Sequence, residues 1–369
     1  MMERNKRIIF LLPGCDIDAT TRKCVPVGGY KVVYEYANML AQDGYDVVLA
    51  FSHARCNYPN PLRHIYGFAG YLYRKSSNEM RAGECFDLNP SIHKWFPYCY
   101  HRPFVSFRNT DIVFATAYDT AVELNKISQI PQDNKYYLIQ DYEIWRDSPR
   151  AVRSSYCFGM HNIVIAPWLQ EIVSESEADS TLITNGLDLH RFSLNIPVER
   201  RQPFEIILLN HTLEHKRVPD SRAALDIVKK HIPKLHVTMF GTCDAPKDMP
   251  SWYTYHHQPM GQELCDIYNS GAIYVAASDF EGFGLTVGEA MICGCAVACT
   301  DNGGFRCMAE HEKTALLSPV YDVEALAGNI IRLITDDKLR HRIAHAANLN
   351  IQQFTWEKSY QKLKALLFT

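Results

Sequence analysis

The sequence predicts an α/β protein made of two doubly wound, Rossmann-like domains that face each other across a cleft. Apolar strand-like segments alternate with amphipathic helix-like segments, and the alternation occurs as two separate series. The 369 residues also suit two domains of roughly 150–200 residues each. Ligands of doubly wound sheets bind at the carboxyl ends of the strands, so we expect the functional site at the sheet edges that line the cleft.

The first series begins with a buried strand and a helix. Arg7–Leu12 is predicted as the first strand, 28–43 as a helix with one apolar face, and Asp46–Phe51 as the second strand. This order predicts parallel pairing through right-handed crossovers. Three more strands are predicted in this series, at 111–115, 135–140 and 163–166.

The second series follows a polar link. The dipeptide Asn185-Gly186 marks a turn, and prolines and arginines follow it at positions 197–203. We therefore predict a first domain of residues 1–185 and a second domain of residues 186–350. Four strands are predicted in the second domain, at 204–209, 236–240, Ile273–Ala276 and Ala296–Thr300.

Composition narrows the class of protein. The net charge of −3 argues against general nucleic-acid binding, and no apolar run reaches the roughly 18–20 residues of a membrane-spanning helix. The apolar run in the first twelve residues is too short for the core of a signal peptide, so we expect a cytoplasmic protein.

The sequence offers no convincing metal site. The twelve cysteines form no Cys-x2-Cys pair, and Cys293, Cys295 and Cys299 lie in a small-residue segment without an accompanying histidine spacing. We interpret them as small buried residues. The Asp-x-Asp pattern at 16–18 lacks a convincing context for a metal. We therefore expect no metal and no cofactor.

The most informative segment is 279–291, where Glu281 and Glu289 lie eight residues apart around a Gly-Phe-Gly loop and the start of a predicted helix. Glycines and free N–H groups at a helix start favour a bound anion. An anion site between two carboxylates suits a nucleotide sugar. The alternative is that each glutamate only compensates the helix dipole. The predicted anion cradle consists of Gly282, Phe283, Gly284, Leu285 and Thr286.

This spacing resembles the Glu-x7-Glu signature of retaining GT-B glycosyltransferases, family 4 in particular. The resemblance implies that Glu281 is catalytic and faces the donor sugar, and that Glu289 holds the ribose hydroxyls. It also implies an acceptor-side first domain, a nucleotide-sugar-binding second domain, and a helix at 351–369 that returns to the first domain. Three further motifs occur in the family's order: Gly28-Gly29-Tyr30, Asn185-Gly186-Leu187-Asp188 and Phe354-Thr355-Trp356-Glu357.

A second segment resembles the diphosphate clamp of the family. Members often carry Gly-Arg-Leu-x3-Lys-Gly, and positions 210–217 keep the lysine as Lys216. His211 replaces the arginine and is a weaker clamp when neutral, whereas Arg217 replaces the glycine and could supply a fork-shaped donor. A solvated helix start is the alternative for both cations. Gly28 and Gly29, which could contact the donor phosphate or the acceptor, complete the predicted donor site. The alternative for these two glycines is a plain strand-to-helix turn.

Asp141 is the second catalytic candidate. It follows a predicted strand in the loop Gln140-Asp141-Tyr142-Glu143, which resembles a variant of bacterial polysaccharide transferases, including rhamnosyltransferase-like members. Asp141 could orient an acceptor hydroxyl, or it could cap a helix.

Residues 52–110 carry eight Lys and Arg against three Asp and Glu, with many aromatic residues between them. This composition suits an anionic membrane face, a sugar-binding groove or a packed insertion.

The resemblance implies transfer of a sugar from a nucleotide diphosphate to a hydroxyl of a glycan or lipid-linked acceptor, with retention and without a metal. We expect a role in surface polysaccharide synthesis, in the cytoplasm or on the inner face of the membrane. The alternatives are a sugar-nucleotide epimerase and a non-catalytic nucleotide-sugar-binding protein of the same fold.

Overall fold

The structure is a computed structural model that describes residues 6–17, 24–25, 27–53, 61–76, 80–100 and 104–368. The chain divides into two compact units, Met1–Ile183 with Tyr360–Thr369, and Thr184–Ser359. We predicted that the domains end after residues 185 and 350. The two observed units instead divide after residues 183 and 359.

The described residues of the first unit form a seven-stranded sheet. Its strands are β1 (Arg7–Leu12), β2 (Asp46–Phe51), β3 (His93–Trp95), β4 (Ile112–Ala115), β5 (Lys135–Ile139), β6 (His161–Val164) and β7 (Thr181–Leu182). Its helices are α1 (Gly28–Gln42), α2 (Pro61–Ser76), α3 (Tyr118–Asn125), α4 (Pro149–Tyr156) and α5 (Pro167–Ser174). The strand order is β3-β2-β1-β4-β5-β6-β7, and every pair is parallel. All six β1 residues are buried, as expected for a central parallel strand.

The second unit contains one six-stranded parallel sheet. Its strands are β8 (Glu205–Asn210), β9 (His236–Gly241), β10 (Tyr253–His257), β11 (Ile273–Ala276), β12 (Ala296–Thr300) and β13 (Leu316–Ser318). Its helices are α6 (Val218–His231), α7 (Gln262–Ser270), α8 (Leu285–Ile292), α9 (Val323–Thr335) and α10 (Asp337–Ile351). The strand order is β10-β9-β8-β11-β12-β13. The order reverses between β8 and β11, so the segments after these two strands share the edge at which doubly wound sheets bind ligands.

The prediction of an α/β protein with two parallel sheets is confirmed, and each predicted strand overlaps an observed one. The largest difference in bounds concerns the strand predicted at 163–166. The observed strand, β6, ends at Val164. Ala166 is the N-cap of α5 and Pro167 is the first helical residue, so the chain has already left the sheet there. The sequence missed β3, β7, β10 and β13, which are the edge strands of the two sheets.

The motifs at 185–188 and 354–357 contact each other within the second unit. The Leu187 N–H donates to the Phe354 carbonyl at 2.9 Å. A Cβ added to Gly186 would lie 2.4 Å from the Trp356 backbone nitrogen, so only glycine permits this approach. The motif Asn185-Gly186-Leu187-Asp188 is therefore a packing element of this unit.

The last helix, α11 (Trp356–Phe368), begins in the second unit and continues into the residues that belong to the first. In the first unit, the Tyr360 hydroxyl and the Lys364 ammonium each donate to Asp43 Oδ2 at 2.8 Å. These bonds fix the C-terminal turns of α11 beside the end of α1.

Candidate functional site

An ion pair between Lys216 and Glu281 lies at the reversal point of the second sheet. Lys216 Nζ lies 2.8 Å from Oε1 and 2.7 Å from Oε2 of Glu281, and Ser278 Oγ donates to Oε1 at 2.7 Å. Glu281 is only 8% exposed, so water screens the pair weakly. Two residues that are 65 positions apart are thus brought into direct contact.

The loop that carries Glu281 is braced by the end of the neighbouring strand β12. The Ser278 carbonyl accepts hydrogen bonds from Thr300 Oγ1 and, at 3.0 Å, from Asn302 Nδ2. A Cβ added to Gly304 would lie 2.2 Å from the Glu281 carbonyl oxygen. These bracing residues belong to no sequence motif, so they were not predicted. Only the adjacency of β11 and β12 could have indicated them.

Helix α8 begins directly after this loop. Gly284 has a φ of +88°, and a Cβ there would lie 2.7 Å from the Phe305 ring, so glycine is required on both grounds. No described side chain caps the helix, and its first backbone bonds run from Val287 and Gly288 to the Gly284 carbonyl. The N–H groups of Leu285 and Thr286, which precede these bonds, are therefore available to an anion.

Glu289 lies inside α8 and is 7% exposed. Its Oε2 accepts a hydrogen bond of 3.1 Å from the Tyr268 hydroxyl of α7. Tyr268 is fully buried, and burial followed by the nearby Glu289 charge raises its pKa well above the ordinary value, so the hydroxyl remains a donor. No sequence pattern indicated Tyr268.

A cavity of about 10 Å³, room for about one water, adjoins the ion pair. Lys216, Glu281, Thr286 and the buried Tyr274 are among its lining residues. The burial of Tyr274 raises its pKa, and the charges of both glutamates raise it further. The segment after β8, the loop after β11 and the first turn of α8 therefore line one space.

His211 and Arg217 surround Lys216 in sequence but have other partners. His211 Nδ1 accepts the Leu213 N–H at 3.0 Å. Burial, and then the charge of Lys216, lower the His211 pKa to about 4, so this histidine is neutral near pH 7. Arg217 adopts a left-handed conformation with a φ of +47°, and donates to both oxygens of Asp220 at 2.8 and 3.0 Å. The glycine that the family carries here fits that conformation without strain. Lys216, and not Arg217, contacts Glu281.

The remaining cradle residues differ in exposure. Gly282 and Phe283 are buried, and the Phe283 ring lies 5.9 Å from that of Phe354. Leu285 and Thr286 are half-buried. Phe283 therefore serves packing through its side chain, while Leu285 and Thr286 form the more accessible part of the cradle.

In the first unit, the candidate residues lie just after the C-terminal end of β5 and at the start of α1. Gly28 is the first residue of α1, and a Cβ added to Gly29 would lie 3.5 Å from the Gln140 side-chain oxygen, which is an ordinary contact. Asp141 is half-buried, and its Oδ1 accepts the Tyr142 N–H at 2.8 Å.

Other residues cap the helices near Asp141. Glu143 Oε2 accepts the N–H of Tyr118, the first residue of α3, and Ser148 Oγ accepts the Ala151 N–H at the start of α4. Glu143 and Ser148 therefore each cap a helix from the loop that also carries Asp141.

Residues 52–110 are only partly described. Tyr71, Tyr98 and Cys99 form a small buried cluster with Phe68 and Met80. Other apolar residues of α2 are exposed, namely Ile65, Tyr66, Leu72 and Tyr73. This segment is therefore part packed insertion and part exposed apolar surface.

Within the described ranges, no three His, Cys, Asp or Glu side chains are grouped to hold a metal ion. Position 18 of the Asp-x-Asp pattern lies outside them. Cys293, Cys295 and Cys299 are fully buried, and burial raises the pKa of Cys295 to about 11. In the part of the chain that the structure describes, every helix is too short or too polar to cross a bilayer.

Comparisons with known proteins agree with this architecture. The family model described as glycosyl transferases group 1 matches residues 192–350. The D-inositol 3-phosphate glycosyltransferase of Saccharomonospora viridis is 29% identical over 103 residues, which are 28% of this chain and 24% of that protein. The O-antigen chain mannosyltransferase B of Escherichia coli is 32% identical over 107 residues, 29% of this chain and 27% of that protein. The chain spans about a quarter of the length of the first curated relatives it matches.

A solved structure extends the likeness of the fold to both units. The structure of Anabaena HepE in complex with UDP and glucose has a TM-score of 0.71 at 15% identity, and the match covers 98% of this chain and 99% of that one. Residues 192–350 thus form a domain of the glycosyl transferases group 1 family, and the two parallel sheets with their helices share the two-domain α/β fold of GT-B glycosyltransferase structures.

Proposed function

We propose that the protein transfers a sugar from a nucleotide-diphosphate sugar to a hydroxyl of a glycan or lipid-linked acceptor, with retention at the anomeric carbon. One observation carries this proposal: the buried contact of Lys216 with Glu281 beside the uncapped start of α8, whose second turn presents Glu289. Anabaena HepE, which has the same fold, is described in complex with UDP and glucose, and this supports the class of donor.

Each part of the donor meets a matching group in the proposal. The diphosphate binds at the start of α8, where the N–H groups and the helix dipole favour an anion. An ammonium has three N–H donors, so Lys216 can keep Glu281 and also donate to a phosphate oxygen. Glu281 then faces the sugar and Glu289 the ribose. His211 adds a neutral N–H donor, and Arg217 contributes only if it releases Asp220.

In the proposed reaction, the bond between the anomeric carbon and the diphosphate oxygen breaks while the acceptor oxygen forms a bond on the same face of the sugar. The acceptor proton passes to the leaving diphosphate, so no protein nucleophile is needed. Lys216 and the start of α8 stabilise the negative charge that develops on the diphosphate, without a metal. The protein's contribution is then positioning and electrostatic stabilisation.

We assign the acceptor side to the first unit. Gly28 and Gly29 begin α1, where no described side chain caps the helix and where the donor phosphate or the acceptor could bind, and Asp141 follows β5 in a loop that Glu143 fixes to α3. Asp141 is proposed to orient the acceptor hydroxyl. The O-antigen chain mannosyltransferase among the relatives supports a role in surface polysaccharide synthesis, and the Gln140–Glu143 loop makes rhamnose the first donor sugar to test.

We also propose peripheral binding to an anionic membrane. Tyr66 and Tyr73 lie seven residues apart on α2, as do Ile65 and Leu72, so these exposed apolar residues share one helix face. Helix α2 contains no Asp or Glu, and basic residues occupy its last turn. Each basic residue near an anionic surface contributes about 1 kcal/mol.

The test of activity is incubation with a panel of nucleotide sugars, with and without lipid-linked acceptors. Release of nucleoside diphosphate that depends on acceptor, and a product with the donor's anomeric configuration by NMR, is the expected result. Interconversion of nucleotide sugars without diphosphate release would indicate the epimerase. Binding without either reaction would indicate the non-catalytic protein.

The test of location is sedimentation with anionic vesicles at low salt. Reversal of Arg74, Lys75 and Arg81 to glutamate should release the protein and leave donor binding intact, because salt-sensitive attraction is lost. The matched control reverses Lys230, Lys234 and Lys247, which are exposed lysines of the second unit. If the wild-type protein does not sediment with these vesicles at low salt, the membrane-binding proposal is wrong.

A further inference from the structure

The Tyr268 hydroxyl donates a hydrogen bond to the Glu289 carboxylate. The hydroxyl lies 3.1 Å from Glu289 Oε2, and the tyrosine is fully buried on α7. A carboxylate accepts such a bond only when the phenol keeps its proton. Burial and the adjacent negative charge both raise the Tyr268 pKa, so the proton stays on the hydroxyl throughout the working pH range.

The Tyr268 ring is held on several sides. Its centroid lies 5.8 Å from the Phe192 ring, 5.4 Å from the Phe240 ring and 5.9 Å from the Tyr274 ring. Its backbone carbonyl accepts a hydrogen bond from Cys295 Sγ at 3.1 Å. Such an enclosed aromatic side chain has one accessible rotamer, so the hydroxyl is a fixed point from which a bond can be made.

A glutamate side chain has three rotatable bonds, and fixing them costs conformational free energy when a ligand binds. The bond from Tyr268 restricts these rotations in the folded protein before any ligand binds, so ligand binding loses less conformational entropy. The carboxylate thus keeps one orientation inside α8. Carboxylates can accept several hydrogen bonds, so the one from Tyr268 leaves capacity for hydroxyl donors.

We propose that Tyr268 is a positioning residue for nucleotide recognition, which orients the Glu289 carboxylate towards the two ribose hydroxyls of the donor. This rests on the proposed function, in which Glu289 binds the ribose. Tyr268 touches neither the sugar nor the reacting atoms in this account. Its effect should therefore appear in the affinity for the ribose part of the nucleotide.

The experiment measures calorimetric affinity of the full-length protein for UDP, GDP and ADP, and for the 2′,3′-dideoxy analogue of the one that binds most tightly. Tyr268→Phe should weaken binding of the ribonucleotide about tenfold, the scale of a lost charged hydrogen bond, and binding of the dideoxy analogue less than about twofold. The matched control is Tyr253→Phe, which removes a buried hydroxyl of the same unit with no carboxylate hydrogen-bond partner among the described residues. It should change neither affinity.

A double-mutant cycle separates the possible outcomes. Glu289→Gln should weaken ribonucleotide binding, and Tyr268→Phe should then have little further effect, because both act through one carboxylate. A normal affinity in Glu289→Gln, or no binding of any diphosphate by the wild type, would overturn the proposed function itself. A loss in Glu289→Gln but none in Tyr268→Phe would overturn only the positioning role.

Equal losses for the ribonucleotide and its dideoxy analogue in Tyr268→Phe would also overturn positioning, because they would indicate a general packing role. If Tyr268→Phe does not fold by circular dichroism, Glu289→Asp tests the same bond from the other side. The shorter carboxylate falls away from the Tyr268 hydroxyl, and the same selective tenfold loss is expected. An unchanged affinity in that variant would contradict the proposal.

Discussion

The candidate residues of the two units are held in different ways. In the second unit, Lys216 and Glu281 form a buried ion pair, and Glu289 is bonded to the buried Tyr268. In the first unit, Asp141 is half-buried and bonds the N–H of the next residue in its own loop. The bonds named in the second unit join distant parts of the chain, and the named bond of Asp141 joins adjacent residues.

This difference suggests a division of roles. Groups fixed by buried charged hydrogen bonds are pre-organised, which suits recognition of a donor whose diphosphate is the same in every cycle. A polar loop at a sheet edge can adapt to a longer acceptor. The following predictions test that contrast, beginning with the largest expected effect.

Lys216→Ala should lower turnover by about a hundredfold or more, because it removes the proposed phosphate donor and leaves Glu281 buried without the ammonium that now contacts it. Diphosphate release with a nucleotide sugar measures turnover, and urea unfolding measures stability. Lys229→Ala is the control, since that ammonium bonds only to carbonyls, of Pro233 and Leu235, among the described residues. It should keep its turnover. Turnover within twofold of wild type in Lys216→Ala would contradict the proposed role of the second unit in donor binding.

Glu281→Gln tests the role of the carboxylate-bearing member of the ion pair in the second unit. It preserves shape and removes the charge that is proposed to face the sugar, so turnover should fall roughly 10- to 100-fold while nucleoside diphosphate affinity changes less than about threefold. Steady-state kinetics and calorimetry give the two quantities. Losses of equal size in both would show that the Glu281 charge has a structural role.

Asp141→Asn tests the first unit. It should raise the acceptor KM about five- to tenfold, since a charged hydrogen bond becomes a neutral one, and leave donor affinity unchanged. Asp133→Asn, at an exposed position of the same unit, is the control. Weakened donor binding in Asp141→Asn would erase the proposed division between the two units.

His211→Gln should make the protein less sensitive to acid. The folded pKa of about 4 lies below the unfolded value of 6.5, so the unfolded chain binds more protons between these pH values. The free energy of unfolding therefore falls as the pH drops from 6.5 to 4. Urea unfolding at pH 7 and pH 4.5 should show a loss smaller than that of wild type by roughly 1 kcal/mol after solvent screening. An identical loss in both proteins would show that His211 is already charged in the fold.

Chelator should have the smallest effect. Lys216 and the N–H groups of α8 compensate the diphosphate in the proposed mechanism, so EDTA should leave turnover unchanged. Loss of turnover that Mg²⁺ or Mn²⁺ restores would instead mean that the second unit needs a cation it does not itself supply.

The sequence predicted what is periodic or contained in a motif. The central strands, the start of α1 and the pairing of Glu281 with a helix start all follow from local patterns. The partners of those residues do not. Tyr268 reaches Glu289 from another helix, and Thr300 and Asn302 brace the Glu281 loop from the adjacent strand. Parallel strands bring such residues together across long stretches of chain, and no spacing rule records it.

Arg217 shows a further limit. Its charge suggested a phosphate donor, but its position requires a left-handed backbone, and its side chain bonds to Asp220 at the start of α6. Backbone conformation and a neighbour three residues away decide where that charge lies. Residue type alone could not indicate either.

The most direct test of the account is a crystal structure of the full-length protein with a bound nucleoside diphosphate. We predict phosphate oxygens at about 2.7–3.2 Å from Lys216 Nζ and from an N–H group of Leu285 or Thr286, with the ribose hydroxyls on Glu289. A diphosphate bound elsewhere, with Lys216, Glu281 and Glu289 contacting only protein, would contradict the central claim that these residues form the donor site.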